Sequence, residues 1–405
     1  MKALQFSRKP VKFAAASVAG RLAPGGGAKV GPLSLKDIDP PAAPAPEWVR
    51  VRPRLAGICG SDLATIDGRS SRYFDPIVSF PFTPGHEVVG ELDDGRRVVI
   101  EPVLGCVARN IDPPCDGCAS GQLGRCEHVS FGELEPGLQS GYCCDTGGGW
   151  STAMVAHPSQ LHQVPETMSD QAAVMVEPTA CALHGALAGG PGLRQGVVVV
   201  IGAGTLGLLA TAAVNRFADP AQLIAVAKHP EQRRLASELG AGDVVSPGEL
   251  TRAVRRATGT MAIAASGQGD ALGRLERLCG GADVVLDCVG SSESLTQALA
   301  VVRPGGRIVM VGMPGTVTVD LTGLWHREVE LHGAYAYGTE ELDGTRRHTF
   351  DLAFELVEAA DLGRLVSATY PLSRYTEAID HAASAGARGA VKIAFDLRHE
   401  KERTR

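Results

Sequence analysis

The stretch Val-Val-Val-Val-Ile-Gly-Ala-Gly-Thr-Leu-Gly at residues 197–207 decides how the chain folds. Val197 to Ile201 is an unbroken β-branched run of strand length. Gly202, Gly204 and Gly207 follow at turn spacing, and an apolar segment of helical length comes next. No residue from Val197 to Val214 is charged, which reaches the threshold of a membrane span. Three glycines inside that run favour strand, turn and helix instead. Each glycine then has its own task. Gly202 permits the turn, Gly204 lets backbone approach a pyrophosphate, and Gly207 packs the helix on the strand. The helix N-terminus supplies free N–H groups and partial positive charge. The competing reading is a glycine turn with no ligand; the flanking strand and helix favour the dinucleotide. Thr205 and Leu206 in the turn, and Val289 and Val311 beside later strand ends, are further candidate cofactor contacts.

Downstream, apolar runs alternate with helical patterns: Leu223–Ala227, Val244–Val245, Asp283–Cys288 and Arg307–Val311. That alternation predicts α/β architecture with a doubly wound parallel sheet. Pro230 opens one helix that stops at Gly240, and Ser246-Pro-Gly-Glu249 is a capping box for another. A carboxylate at the end of the second strand would bind the adenosine ribose of NAD. Ala225 to Pro230 holds none. Ala227 stands in that place, with Lys228 next to it and Arg233 one helical turn on. Two cations suit a 2′-phosphate, so NADP is favoured over NAD. A solvated surface lysine is the plain alternative.

A chain of 405 residues is long for a single core and calls for two domains. The first 165 or so residues read as short strands and turns, including Val49–Arg54, Val88–Leu92 and Arg97–Glu101. Residues 23–46, rich in Pro, Ala and Gly, read as surface loop. Late in the chain come a helix at Thr349–Ala360, strands at Ala390–Leu397 and a charged tail, 399–405, expected to fray. The boundaries drawn are 1–180, 181–335 and a return to the first domain over 336–405. Net charge is −6, with 44% hydrophobic and 21% charged residues, so no nucleic-acid or anionic-membrane partner is expected. The N-terminal segment has no apolar core or cleavage site of a secretion signal, which points to the cytoplasm. Ten cysteines then suggest reduced thiols and metal ligation.

Cys106, Cys115, Cys118 and Cys126 follow a C-x8-C-x2-C-x7-C spacing. Four thiolates so placed fit a closed tetrahedral zinc with a structural role. A second constellation is dispersed: Gly57-Ile-Cys59-Gly60-Ser61-Asp62, then Pro84-Gly85-His86-Glu87. Cys, His and a carboxylate can hold zinc with one position open. Taken alone, a core cysteine and a satisfied histidine would be the plain reading.

These motifs, with Glu177-Pro178 and the glycine turn, resemble the zinc-containing medium-chain alcohol and polyol dehydrogenases. The resemblance covers about residues 47–396. It implies a GroES-like, β-rich catalytic domain beside a Rossmann domain. It implies a hydride exchanged between a nicotinamide cofactor and a small alcohol or ketone, in a homodimer or homotetramer with two zinc ions per chain. Cys59 and His86 would hold the catalytic zinc, with Glu87 as ligand or exchangeable carboxylate. Glu177 matches a position that is glutamate in the sorbitol and glucose dehydrogenase branch, which points to secondary alcohols of polyol or sugar type. Asp62 matches the carboxylate that orients the zinc histidine, and Ser61 the hydroxyl that takes the substrate proton. Alternatives are a primary alcohol or formaldehyde dehydrogenase of the same fold, a zinc-free enoyl or quinone reductase, and a non-enzymatic nucleotide-binding protein. Three departures stand out. Val107–Pro114 separates the first two lobe cysteines. Position 64 is alanine where some relatives carry a relay histidine, so the proton would leave by cofactor ribose and water. Residues 259–281 are longer than the usual connection.

Overall fold

The computed structural model describes residues 1–263 and 277–400. The chain forms two compact units: Met1–Glu177 with Ala336–Arg405, and Pro178–Tyr335. Helix Val176–Leu187 carries the chain from the first into the second.

In Pro178–Tyr335 the strands Val197–Ile201, Gln222–Val226, Asp243–Val245, Ala282–Asp287, Val302–Met310 and Glu330–Gly333 form one sheet. All neighbours pair in parallel, and in chain order the strands stand 3-2-1-4-5-6. That is the doubly wound order, whose ligand crevice lies at the carboxyl ends of the first and fourth strands. The uncharged run splits as its glycines predict, into a fully buried strand to Ile201 and a helix from Thr205 to Phe217. No described helix is long and apolar enough to cross a membrane. Helix Pro230–Glu238 and the Ser246 capping box form as expected; the box leads through a short 3-10 turn into helix Leu250–Thr258. Of the long connection, Ala262–Ile263 pairs with Arg277–Leu278, while 264–276 lie outside the described residues.

In the other unit, strand Val49–Gly57 is the hub of a seven-stranded sheet. It pairs antiparallel with Val88–Leu92, Met154–Ala156 and Lys392–Asp396. The last of these brings the end of the chain beside residue 57. A core of Leu4, Phe6, Ile58, Phe82, Trp150, Ile393 and Phe395 packs on this sheet. Trp150 is fully buried, and its Nε1–H donates to the Gly57 carbonyl at 3.1 Å.

Four expectations need correction here. Residues 10–22 form a helix, opened by Pro10 and seated through Ala16 and Gly20. Residues 23–46 are not plain surface loop: they contain helix Gly27–Val30 and strand Leu33–Asp37, which pairs with Lys2–Phe6. Composition could not show this, because the buried Asp67 organises the segment from outside it, accepting from Gly25 N at 2.9 Å and Gly27 N at 3.0 Å. The tail is anchored at Glu400, which pairs with Lys2 at 3.1 Å and accepts from Leu372 N at 3.2 Å, while 401–405 lie outside the described residues. The last segment is a single strand, Lys392–Asp396.

Candidate active site

Cys59 ends the hub strand's exit and caps helix Gly60–Ile66, where Asp62 Oδ2 accepts the Cys59 N–H at 3.0 Å. His86 and Glu87 lead into strand Val88–Leu92. Two glycines make the approach possible. A Cβ at Gly57 would lie 1.9 Å from Glu87 Oε2, and Gly85, at φ 99°, would meet the Trp150 ring at 2.4 Å. Ligand atoms of Cys59, His86 and Glu87 then lie within 4.8 Å of one another. Asp62 Oδ1 stands 3.6 Å from His86 Nδ1, too long for a hydrogen bond, and that buried nitrogen has no hydrogen-bond partner.

Charge balance supports a cation here. Asp62, Glu87 and Glu177 are all buried, with the Cys59 thiol beside them. Burial opposes a charged His86, yet Asp62, Cys59 and Glu177 together raise its pKa well above the usual range. Burial likewise pushes the Asp62 carboxyl up, against the pull of His86 and the Cys59 amide. One ammonium faces this anionic group. Lys392, 2% exposed, sits 2.6 Å from both Glu87 oxygens and 3.4 Å from the Ile58 carbonyl. A buried set of thiol, imidazole and carboxylates with a deficit of positive charge fits zinc. Lys392 was not singled out from the sequence. The available signal was a lone lysine inside the apolar strand Lys392–Asp396, since a buried charge needs a partner.

Ser61 is half-buried on the first turn of its helix, with Ala64 one turn on. The structure adds hydroxyls that sequence reasoning missed. Tyr142 Oη stands in the electrostatic neighbourhood of Ser61 and lies 3.4 Å from both Asp62 Oδ1 and Thr65 Oγ1. Thr65 Oγ1 is 2.9 Å from Ser70 Oγ. Burial, with Asp62 and Cys59 nearby, raises the Tyr142 pKa well above its ordinary value, so this phenol keeps its proton at neutral pH.

The four lobe cysteines converge as their spacing predicts, with all four sulfurs within 4.8 Å. Cys106 Sγ is 3.6 Å from Cys115 Sγ and 3.8 Å from Cys126 Sγ. The backbone N–H groups of Cys106, Cys115 and His128 each point at a lobe sulfur from 3.4 Å. Burial opposes ionisation of Cys115, but the amides of Glu127 and Cys118 outweigh it and bring its pKa to about 7. Burial pushes Cys126 up to about 11. Four sulfurs this close cannot all ionise without a cation, and a metal answers that need. The His128 ring, with Nδ1 at 3.2 Å from Cys106 Sγ, is an additional neighbour. Arg109 shapes the enlarged loop. Its buried guanidinium donates to the carbonyls of Leu104, Phe131, Leu134, Glu135 and Gly137.

In Pro178–Tyr335 the glycine turn has the geometry a pyrophosphate requires. Gly202 has φ 92°. A Cβ at Gly207 would lie 1.6 Å from the Gly202 carbonyl, so helix and strand touch there. A Cβ at Gly204 would meet nothing within 4 Å, and no side chain caps the helix that begins at Thr205. Backbone amides therefore face open space, as phosphate binding needs. Val289 is half-exposed in front of Gly202, held by buried Asp287, which accepts from Val289 N at 2.9 Å and Gly290 N at 3.1 Å. Val311 lies behind, its methyl 2.7 Å from where a Gly185 Cβ would stand. At the second strand end Ala227 is buried and Lys228 exposed. Arg233 folds back, its Nε donating to the Ala227 carbonyl at 3.2 Å.

Comparison with known proteins agrees with this geometry. The alcohol dehydrogenase GroES-like domain matches residues 45–166, and the zinc-binding dehydrogenase domain matches residues 205–358. The chain is similar to an L-idonate 5-dehydrogenase of Vitis vinifera, 27% identical over 370 residues, covering 87% of this chain and 88% of that one. A sorbitol dehydrogenase of Arabidopsis thaliana is 27% identical over 367 residues, covering 87% and 89%. Among solved structures, a chain of Sinorhizobium meliloti 1021 described as a zinc-binding dehydrogenase and bound to NADP superposes with a TM-score of 0.65 at 23% identity, covering 90% and 96%. With its GroES-like and Rossmann-type domains, this chain belongs to the zinc-containing medium-chain alcohol and polyol dehydrogenases.

Proposed function

We propose that the protein transfers a hydride between a nicotinamide cofactor and a secondary alcohol or ketone of polyol or sugar type. The observation that carries this is the convergence of Cys59, His86 and Glu87, with buried Glu177 close enough to act on His86 and with Ser61 two residues after Cys59. Zinc at such a site supplies a Lewis acid that makes an alcohol oxygen acidic near neutral pH, and nicotinamide supplies the hydride chemistry. Cys59 and His86 would hold the metal, with Glu87 or Glu177 as the carboxylate. Asp62 fixes the helix turn that carries Cys59 and sets the field on His86. Ser61 would accept the substrate proton. With alanine at position 64, the hydroxyls of Tyr142, Thr65 and Ser70 offer that proton a route besides cofactor ribose and water. The four-cysteine lobe would hold a second, structural zinc.

The polyol reading rests on Glu177 and on relatives that act on sorbitol and L-idonate. NADP preference rests on Lys228, Arg233 and the missing carboxylate at Ala227; assembly as a homodimer or homotetramer rests on the family. The test is metal content together with oxidation of a panel of polyols and primary alcohols under both cofactors. Expected are two zinc ions from these two sites, one of them lost in Cys115→Ser, and faster turnover of secondary polyols than of ethanol. Failure to oxidise any secondary alcohol with the Cys59 site loaded refutes the reading.

A further inference from the structure

Glu101 directly follows strand Arg97–Ile100, His162 lies at the centre of strand Leu161–Gln163, and His348 caps helix Thr349–Ala359. The three come from distant parts of the chain but belong to one compact unit. Glu101 is 2% exposed. Its Oε2 stands 2.7 Å from His162 Nε2, and its Oε1 stands 3.5 Å from His348 Nε2. Oε1 is buried with no hydrogen-bond partner and points into the cluster. One nitrogen from each ring and one carboxylate oxygen lie within 4.8 Å of one another. The two imidazoles stack loosely, centroids 5.5 Å apart, and His162 also stacks on Phe350 at 4.5 Å.

We propose that Glu101, His162 and His348 form a third divalent-metal site of zinc type, separate from the four-cysteine lobe and the Cys59–His86 cluster. Two imidazole nitrogens and one carboxylate suit zinc, cobalt or nickel, with a position left for water because neither histidine is fully buried. A buried carboxylate oxygen without a partner is costly, and a cation between the three side chains satisfies it. The Phe350 N–H donates to His348 Nδ1 at 3.3 Å, which in the apo state puts the ring proton on Nε2. Metal binding moves that proton to Nδ1 and exchanges one long hydrogen bond for a coordinate bond. The ion ties helix Thr349–Ala359, in the returning segment, to two strands laid down some 200 residues earlier in the chain. Its role is that of a staple, and it stands independently of any dehydrogenase activity.

The test titrates the full-length, metal-stripped protein with Zn²⁺ and Co²⁺ and compares the unmodified chain with two variants. His348→Asn keeps a good helix cap and removes the imidazole. His162→Phe keeps the ring stack on Phe350 and removes the nitrogen. The unmodified protein should take up one more ion than either variant, and its thermal midpoint should rise with zinc to a greater extent. Removing one ligand should weaken that ion's affinity by about 100-fold or more. Equal ion counts in the unmodified protein and a folded His348→Asn variant would mean a hydrogen-bonded cluster only, and would overturn the proposal. If both variants fail to fold, the count in the unmodified protein decides. An unmodified chain that binds only the ions removed by Cys59→Ser and Cys115→Ser overturns it equally.

Discussion

Replacing Lys392 by methionine removes the ammonium beside Glu87 while keeping most of the side-chain volume. Nζ lies 2.6 Å from both carboxylate oxygens, and both residues are at most 2% exposed. At an effective dielectric of about 20, unit charges at that distance attract by about 6 kcal/mol. Desolvation of the two ions offsets much of this, so the intact pair is worth far less than its attraction. Removing one partner is another matter, because Glu87 is then left buried beside Cys59 and near Glu177 without compensation. The expected loss is about 3–5 kcal/mol. Glu87→Gln should cost a similar amount by stranding Lys392, whereas the double variant Glu87→Gln/Lys392→Met should recover about 2 kcal/mol or more of the summed loss. Urea unfolding of metal-stripped protein, in which no cation at Cys59 and His86 can stand in for the ammonium, measures the cycle by tryptophan emission. Trp150 is fully buried against Phe395 and bonded to Gly57, and in a Trp325→Phe background the remaining tryptophans, Trp48 and Trp150, both belong to this unit, so the transition reports it. Strict additivity of the two single losses, or a Lys392→Met loss under about 1 kcal/mol, would refute the argument.

Ser61→Ala should lower turnover by roughly 10²-fold or more with zinc content unchanged; unchanged turnover removes Ser61 from the proton path. The ratio of specificity constants should favour NADP, Lys228→Ala should raise the Michaelis constant for NADP by about tenfold, and Ala227→Asp should shift preference towards NAD. A clear NAD preference in the unmodified enzyme sinks that assignment. Arg109→Leu should destabilise the lobe by about 3 kcal/mol or more, because five carbonyls lose their donor together; hydrogen exchange across residues 104–137 reads it, and unchanged protection there contradicts it. Burial pushes the Cys143 thiol up to about 11, whereas Cys279 is exposed. Iodoacetamide at pH 8 should therefore label Cys279 quickly and Cys143 only on unfolding, as peptide mass mapping would show; equal labelling rates in the folded protein contradict this.

What was legible in the sequence by itself is what neighbours along the chain decide. A β-branched run, three glycines and an apolar helix within 18 residues leave one sensible backbone path, and four cysteines within 21 residues need little more than a loop to converge. The same holds for Cys59 and His86, each carried in a short motif whose order along the chain identified the family. The structure alone decided the long-range partners. Lys392 reaches Glu87 across 305 residues because strand Lys392–Asp396 pairs beside residues 55–57, a register that no local pattern near residue 392 encodes. Asp67 turns a Pro/Gly-rich segment into ordered structure from 40 residues away, and Glu101 meets His162 and His348 where two strands and a helix cap converge. Tyr142 likewise enters the Ser61 hydroxyl group from a loop whose own sequence reads as turns. In each case the deciding force is the demand that a buried charge or polar atom find a partner, and only the packed tertiary arrangement determines which distant residue answers it.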